Sequence, residues 1–518
     1  MVTFLTIVRA YMRGDYFEKA NPANLAKVLE IMRGRKVALF IVAYNAENFI
    51  HKTIERIPKE IVNNFIEIYV IDDSSRDKTA EKAELTFISL GIKNYRVMRT
   101  PFNQGYGGNQ KVGYTYAIRK GFDYVIMLHG DGQYPPEFLP QIIECFENDD
   151  AAAVFGSRMM VRYQALKGGM PLYKWLGNMI LTRIENTLLR TKLSEFHSGY
   201  RAYHLSALKQ LPFQLNSDDF HFDTDIIIQF VANDFKIKEI PTPTHYGDEV
   251  CHVNGLKYFW NCLKSVMKFR LHKLGIFYQP NFDIESPSRR EYRFKSNPNT
   301  LHQHILALPW SKKDAVADLG AHDGILAAKL APLVDSVTAI DIQPVPPREG
   351  LETRQLDLNS DFDRVLGQEA FNKVIALDVI EHLDDPEAAM IKINNSLKEG
   401  GKLYTSTANV AFIIVRIALL LGWFNYGKRG ILDKTHHRLF TIKSFTRLLK
   451  NSGFKVEKIV GFGPPIADEI SRKGIFAFID KSGSFLARVR PSLFSFNFLL
   501  IASKKPSLES IYDLTVKS

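Results

Sequence analysis

Three observations predict two α/β domains in tandem. The chain has 518 residues, whereas a single hydrophobic core stops growing near roughly 250 to 300. Apolar runs of strand length alternate with amphipathic helical stretches over residues 36–155 and again over 315–404, the βα alternation that builds parallel sheets. Between them, QPNFDIESPSRREYRFKSNPNT is rich in Pro, Ser, Asn and charge, the composition of a linker. The expected organisation is an accessory N-terminal helix within residues 1–34, a first domain over 35–278, a linker over 279–299 and a second domain over 300–518.

Composition narrows the class. Hydrophobic residues make up 46% and charged residues 24%, ordinary values that argue against disorder and against a polytopic membrane protein. Cys145, Cys251 and Cys262 show no close paired spacing, which argues against a disulfide framework or a zinc site and points to a reducing, cytoplasmic compartment. The start, MVTFLTIVRAYMRGDYF, has neither a basic leader nor a small-residue cleavage site and does not read as a signal peptide. The most apolar run, VAFIIVRIALLLGW, carries Arg416 in its middle and falls short of the roughly 20 residues that span a bilayer. A net charge of +11 fits peripheral contact with the inner face of the cell membrane, but basic residues scattered over two solvated domains explain it as well. No aromatic and basic recognition module accompanies the charge, which sets nucleic acid aside as a partner.

The elements follow in order. VALFIVAYN and IEIYVIDDSSRDKT read as the first two strands, each running into a helix. Ligands of an open parallel sheet bind at the carboxyl ends of its strands, so Tyr44, Asn45, Asp72 and Asp73 are expected to converge on one crevice that fits a base and a ribose. Capping of the next helix is the competing role for Asp73. TPFNQGYGGNQKVG, with Asn103 and Gly105, reads as a Gly-rich turn opening a helix, suited to close approach of a diphosphate. DYVIMLHGDGQYPPEFLP is an apolar strand ending at Asp131, followed by Gln133 and a Pro-Pro stop. A carboxylate beside a diphosphate is what a hard divalent cation needs.

That order resembles the family 2 glycosyltransferases of GT-A fold, especially the dolichyl-phosphate-mannose-synthase-like branch. The matching motifs are AYN, IDDSSRDKT, NQGYGGN, DGQYPPE, GSR, SGYRAY and SDDFHFDTDI, and they cover roughly residues 35–270. The resemblance implies a nucleoside-diphosphate sugar donor, with Asp72 and Asp73 on base and ribose and Asp131 on a metal, and a glycan or polyprenyl-phosphate acceptor with inversion at the anomeric carbon. The family's Asp-x-Asp reads His129-Gly130-Asp131 here. Either Asp131 alone carries Mg or Mn, the preferred reading, or His129 joins it and favours Mn. Arg158 and Arg201 are candidates for bidentate anion contacts, with structural ion pairing as the alternative. A hydroxyl acceptor would need a carboxylate base, Asp223 or Asp225; residues i and i+2 point apart on a helix, so one serves, and Asp225 is favoured.

In the second half, AVADL feeds the turn GAHDG and then a helix, and VTAID follows, ending at Asp341. Glycine at such a turn permits close ligand approach, and an acidic residue about 20 positions on holds ribose hydroxyls. LDLNSDF supplies Asp357 and FNKVIALDVIEHLDDP supplies Asp378. The succession is similar to class I methyltransferases with a Rossmann-like fold over roughly residues 300–505. It implies S-adenosylmethionine, with Asp318, Gly320, His322 and Gly324 around its methionine part, Asp341 on the ribose, Asp357 near the adenine, and Asp378 opening the substrate-side segment. His322 stands where the family has glycine. Residues 408–441 depart from the core as an apolar helix and a His-rich turn, expected to cover the acceptor, with His436 or His437 as base for a hydroxyl.

These features together predict an enzyme with two activities on surface glycoconjugates, sugar transfer and methylation of a glycoconjugate or lipid-linked intermediate. The rival is a single-activity enzyme or a scaffold with one degenerate domain.

Overall fold

The computed structural model describes residues 23–148, 150–161, 163–243, 253–284, 299–466 and 474–506. Contacts divide the chain into two compact units, one of residues 1–269 with 280–287, the other of 270–279 with 288–518. Most of the expected linker, residues 285–298, lies outside the described residues, as do the first 22.

The first unit is a seven-stranded sheet. Its strands are β1 (Val37–Ala43), β2 (Glu67–Asp72), β3 (Tyr95–Arg99), β4 (Tyr124–His129), β5 (Ala153–Ser157), β6 (Arg201–His204) and β7 (Ile237–Pro241). The order is β3-β2-β1-β4-β6-β5-β7, with β6 antiparallel to both its neighbours and the other pairs parallel. All seven residues of β1 are buried, as expected of a central parallel strand covered on both faces. A helix spans Leu25–Gly34, with the Asn24 side chain accepting from the Lys27 N–H at 3.3 Å, an N-cap of the usual kind. On one face of the sheet Phe40 stacks on Tyr69, ring centroids 5.1 Å apart, and meets Tyr114 edge-on at 6.0 Å. The helix Gly105–Lys120 lies against this group at Gly113, where a Cβ would collide with the Phe40 ring.

The second unit holds β8 (Ala315–Leu319), β9 (Ser336–Asp341), β10 (Glu352–Gln355), β11 (Phe371–Leu377), β12 (Leu397–Ala408), β13 (Phe454–Phe462) and β14 (Asn497–Lys504). Their order is β10-β9-β8-β11-β12-β14-β13. Only β14 runs against its neighbours; the remaining pairs are parallel. Alternate residues feed two separate cores, Ala317, Leu319, Val374 and Ala376 on one face and Val316 and Ile375 on the other, the period-2 consequence of a sheet covered on both sides. The chain switches direction of growth at β8, which sets a crevice at its carboxyl end. The apolar run around Arg416 forms an eight-residue helix, Ile413–Leu420, and among the described residues no helix is long and apolar enough to cross a membrane.

The Gly113 contact sets a testable cost. Gly113→Ala should destabilise the chain by about 1 to 3 kcal/mol through overpacking, despite alanine's better helix propensity. Phe40→Leu in the same background should recover part of the loss, measured by urea unfolding of the single and double variants.

Candidate active sites

The carboxyl ends of β1 and β4 open onto a cavity of about 1330 Å³ in the first unit. Of the residues expected there, Tyr44, Asp73, Asn103, Gly105, Asp131, Gln133, Arg158 and Asp223 line it. Asn45, Asp72, Arg201 and Asp225 do not.

Each of those four is held away from the cavity by a local cause. Asp72 and Asp73 are consecutive on an extended segment and so point opposite ways. Asp72 turns inward, bonds the Ser75 hydroxyl and pairs with Arg99 at 3.5 Å; burial raises its pKa against the pull of Ser75. Asn45 sits at φ 48 and its side-chain oxygen accepts from the Arg76 N–H at 3.0 Å, so it holds the turn after β2. Arg201 is buried and donates to the carbonyls of Ser198, Phe196 and Asp223 at 2.7, 2.7 and 3.2 Å, which leaves its guanidinium engaged by backbone rather than offered to an anion. Asp225 is buried beside the Ser217 N–H, from which it accepts at 3.0 Å; burial raises its pKa.

Among the described residues Asp73 makes no hydrogen bond to the helix that follows Ser74. Its Oδ1 accepts from the Thr100 hydroxyl at 3.0 Å and from the Gln104 N–H at 2.8 Å, tying the end of β2 to the Gly-rich turn. That turn is packed more tightly than a free anion cradle. The Gly107 and Gly108 N–H groups donate to the Asp218 carbonyl at 2.8 and 3.3 Å, and the Gly105 N–H donates to Asn103 Oδ1 at 3.1 Å. A Cβ on Gly105 or Gly107 would strike the backbone of residues 217–219. The glycines therefore serve close backbone approach between two segments of the protein.

Asp131 Oδ1 accepts from the Gln133 N–H at 3.0 Å, and among the described residues no hydrogen bond reaches Oδ2. His129 is wedged. Its Nε2 lies 3.2 Å from the Tyr106 hydroxyl, its ring meets Tyr106 and Tyr134 edge-on, and Gly199 leaves no room for a Cβ beside it. Burial holds its pKa below the ordinary histidine value, against the pull of Asp131 and Asp223. Tyr106 also donates to Asp223 Oδ2 at 3.1 Å, while Gln110 donates to Oδ1 at 3.1 Å and Arg201 lies 3.7 Å away. Arg158 faces the cavity but is gripped by buried Glu195, with Nε to Oε1 at 2.9 Å and the backbone N–H to Oε2 at 2.7 Å. Burial works to raise the Glu195 pKa, but Arg158 outweighs it and the net shift is downward.

Tyr106, Asp218 and Asp219 also line the cavity and were not singled out from the sequence. The two carboxylates stand in the same SDDFHFDTDI motif as Asp223, so the motif was the right signal and its first half was passed over. Asp218 pairs with Lys111 at 2.6 Å and Asp219 with Lys257 at 3.4 Å.

In the second unit Gly320, His322 and Gly324 all have positive φ, at 72, 51 and 68. A Cβ on Gly320 would collide with Val379; His322 occupies the left-handed region, where histidine is one of the enriched non-glycine residues. Asp341 locks this turn, accepting from the His322 N–H at 2.9 Å through Oδ2 and from the Gln343 N–H at 2.9 Å through Oδ1. Asp318 is buried with Oδ2 lacking any partner. Burial, with Asp341 and Asp323 nearby, pushes its pKa up to about 7. Asp357 caps its own turn through the Asn359 N–H at 2.8 Å. Asp378 accepts from the Ser406 hydroxyl at 2.8 Å and from Asn497 at 3.0 and 3.1 Å.

Behind Asp378, burial and the Asp378 charge push Glu381 up to about 8. The Glu381 carbonyl accepts from the His437 and Arg438 N–H groups at 2.8 and 3.1 Å, joining the DVIEHL segment to the His-rich turn. His382 and His436 meet with ring centroids 4.7 Å apart. Burial and His382 hold the His436 pKa down, and its Nδ1 lies 3.2 Å from the Ile431 carbonyl. His437 is half-exposed and pairs with Asp384 at 2.7 Å.

The two sheets differ in strand order, and each unit carries carboxylates at the carboxyl ends of its parallel strands. Family models agree: glycosyl transferase family 2 matches residues 38–211 and a methyltransferase domain matches residues 290–459. An uncharacterized protein of Methanocaldococcus jannaschii is 32% identical over 217 residues, covering 41% of this chain and 84% of that one. The UDP-N-acetylglucosamine--dolichyl-phosphate N-acetylglucosaminyltransferase of Methanococcus voltae is 28% identical over 227 residues, 42% of this chain and 88% of that one. The ubiquinone biosynthesis O-methyltransferase of Xanthomonas euvesicatoria is 33% identical over 159 residues, 28% of this chain and 64% of that one. The chain thus carries a glycosyl transferase family 2 domain over residues 38–211 and a methyltransferase domain over residues 290–459.

Asp318 carries a prediction with a definite sign. Its folded pKa, about 7, lies above the unfolded aspartate value, so its ionisation opposes folding once pH rises past roughly 4. Asp318→Asn should raise the stability of the full chain at pH 8, by about 2 to 4 kcal/mol for three pKa units, and leave it near wild type at pH 4. Urea unfolding at the two pH values checks it.

Proposed function

We propose that the first half, residues 35–278, transfers a sugar from a nucleoside-diphosphate donor to a polyprenyl phosphate with inversion, and that the second, residues 300–518, methylates a hydroxyl or carboxyl of a lipid-linked or surface glycoconjugate with S-adenosylmethionine. The observation that carries the first part is the convergence of Asp73, Asp131 and Asp223 on one cavity at the carboxyl ends of parallel strands. Asp73 and Tyr44 would hold base and ribose. The unbonded Oδ2 of Asp131 fits a divalent cation, Mg or Mn, which would neutralise the diphosphate leaving group. The Nε2 of His129 is occupied by the Tyr106 hydroxyl at 3.2 Å, which supports Asp131 as the single protein ligand on the ion.

The choice of a phosphate acceptor rests on the state of the other carboxylates. Asp223 has both oxygens hydrogen-bonded and Arg201 beside it, and Asp218 and Asp219 each face a lysine. None stands free to take a proton from a sugar hydroxyl. A phosphate is already an anion and needs no base. Leu172, Tyr173, Leu256 and Trp260, on the helices Leu172–Leu189 and Gly255–Lys273, are 67, 72, 78 and 57% exposed, an apolar rim suited to a polyprenyl chain and to peripheral contact with the inner face of the membrane.

In the second half Asp318, Gly320, His322, Gly324, Asp341, Asp357 and Asp378 would form the cofactor side. Asp341 already has both oxygens fixed by backbone N–H groups, and each oxygen keeps a further acceptor position for ribose hydroxyls. The cofactor supplies an activated methyl group, so the protein's task is mainly proximity and orientation. A carbonyl only accepts, so the contact with Ile431 puts the His436 proton on Nδ1 and leaves Nε2 as base. His437, exposed and paired with Asp384, is the weaker candidate.

Asp131→Ala should abolish metal-dependent turnover of a nucleoside-diphosphate sugar, whereas His129→Ala should cost much less; equal losses would make His129 a true ligand. Asp341→Ala should weaken S-adenosylmethionine binding by roughly ten-fold to a hundred-fold, the 1.5 to 3 kcal/mol that hydrogen bonds to a charged group contribute, as read by calorimetric titration of the full chain. No binding by wild type would favour the rival in which this half is degenerate.

A further inference from the structure

Behind the cavity wall of the first unit lies a cluster that neither proposed activity uses. Glu185 comes from the helix Leu172–Leu189, His197 from the loop after it and Cys262 from the helix Gly255–Lys273. One oxygen, one ring nitrogen and the sulfur all lie within 4.8 Å of one another. Glu185 and Cys262 are 0% exposed and the His197 side chain 7%.

Glu185 Oε2 and His197 Nε2 face each other as a buried ion pair at 3.2 Å, and among the described residues neither has a directed hydrogen bond. The other atoms of the same side chains are fixed. His197 Nδ1 lies 2.9 Å from the Tyr258 hydroxyl, and Glu185 Oε1 accepts from the Thr224 hydroxyl at 3.4 Å. Inner atoms that meet only each other, with outer ones oriented by neighbours, are the arrangement by which surrounding groups aim the ligands of a metal ion.

We propose that Glu185, His197 and Cys262 bind a zinc ion. A thiolate, an imidazole and a carboxylate form a borderline-soft donor set that suits zinc, whereas magnesium and calcium take oxygen. Three protein ligands leave a fourth position for water or for an oxygen ligand from the cavity, whose wall includes His197 and Tyr258. Burial pushes the Cys262 thiol up, so the metal-free site holds a neutral thiol. On binding, the S–H bond breaks, a Zn–S bond forms and one proton leaves to solvent, so affinity falls as pH is lowered. The ion would join both helices that wall the cavity to the loop between them.

The test uses the untagged full-length chain, its zinc content by elemental mass spectrometry and its ligands by X-ray absorption at the zinc edge. The expected result is one zinc per chain with one sulfur at about 2.3 Å and nitrogen or oxygen ligands at about 2.0 Å. Cys262→Ser should lose the sulfur signal and most of the zinc, while Asp131→Ala should keep both. Absence of stoichiometric zinc after dialysis against a zinc buffer, zinc without a sulfur ligand in wild type, or full occupancy in Cys262→Ser would each overturn the proposal. The wild-type spectrum decides even if the serine variant folds poorly.

Discussion

Parallel pairing around two central strands is the constraint on which both sites depend. Parallel strands end on the same edge of a sheet, so the turns after β1, β4, β8 and β11 bring distant residues together without any local sequence signal. Burial of β1 on both faces fixes the register, and a one-residue slip would send Asp73 inward and Asp72 toward the cavity. The chemistry of each half is thus set by which residue of a strand end falls on which side of the pleat.

The glycosyltransferase cavity is bordered by charges that have already found partners. Arg201 is surrounded by carbonyls and Asp223, Arg158 is clasped by Glu195, and Tyr106 bridges His129 to Asp223. Buried charges persist only with such partners. The network fixes the loop of residues 194–201 against the sheet, so residues that look like ligand contacts by type act as supports for the few that face the cavity.

Much of this was legible in the sequence. The run VALFIVAYN contains β1, Val37–Ala43, and ends two residues past it, and motif order alone points to both domains. What stayed hidden was partner identity. Glu195 lies 37 positions from Arg158, so nothing near the GSR motif announces that its guanidinium is taken. Asp223 and Asp225 stand about 200° apart around a helix, so one of them faces the site; the sequence favours Asp225, whereas it is Asp223 that lines the cavity and Asp225 that packs inward. Glu185, His197 and Cys262 have no short spacing at all, so nothing in the sequence brings them together, whereas the two helices and the loop do.

The raised pKa of Asp318 has a consequence for energetics of association. Near neutral pH this carboxyl is only partly ionised, since its pKa is pushed up to about 7. A cationic ligand nearby favours the charged form, so binding a sulfonium there would expel a fraction of a proton into the medium. The observed heat of binding then depends on the ionisation enthalpy of the buffer, and its slope across buffers counts the protons released.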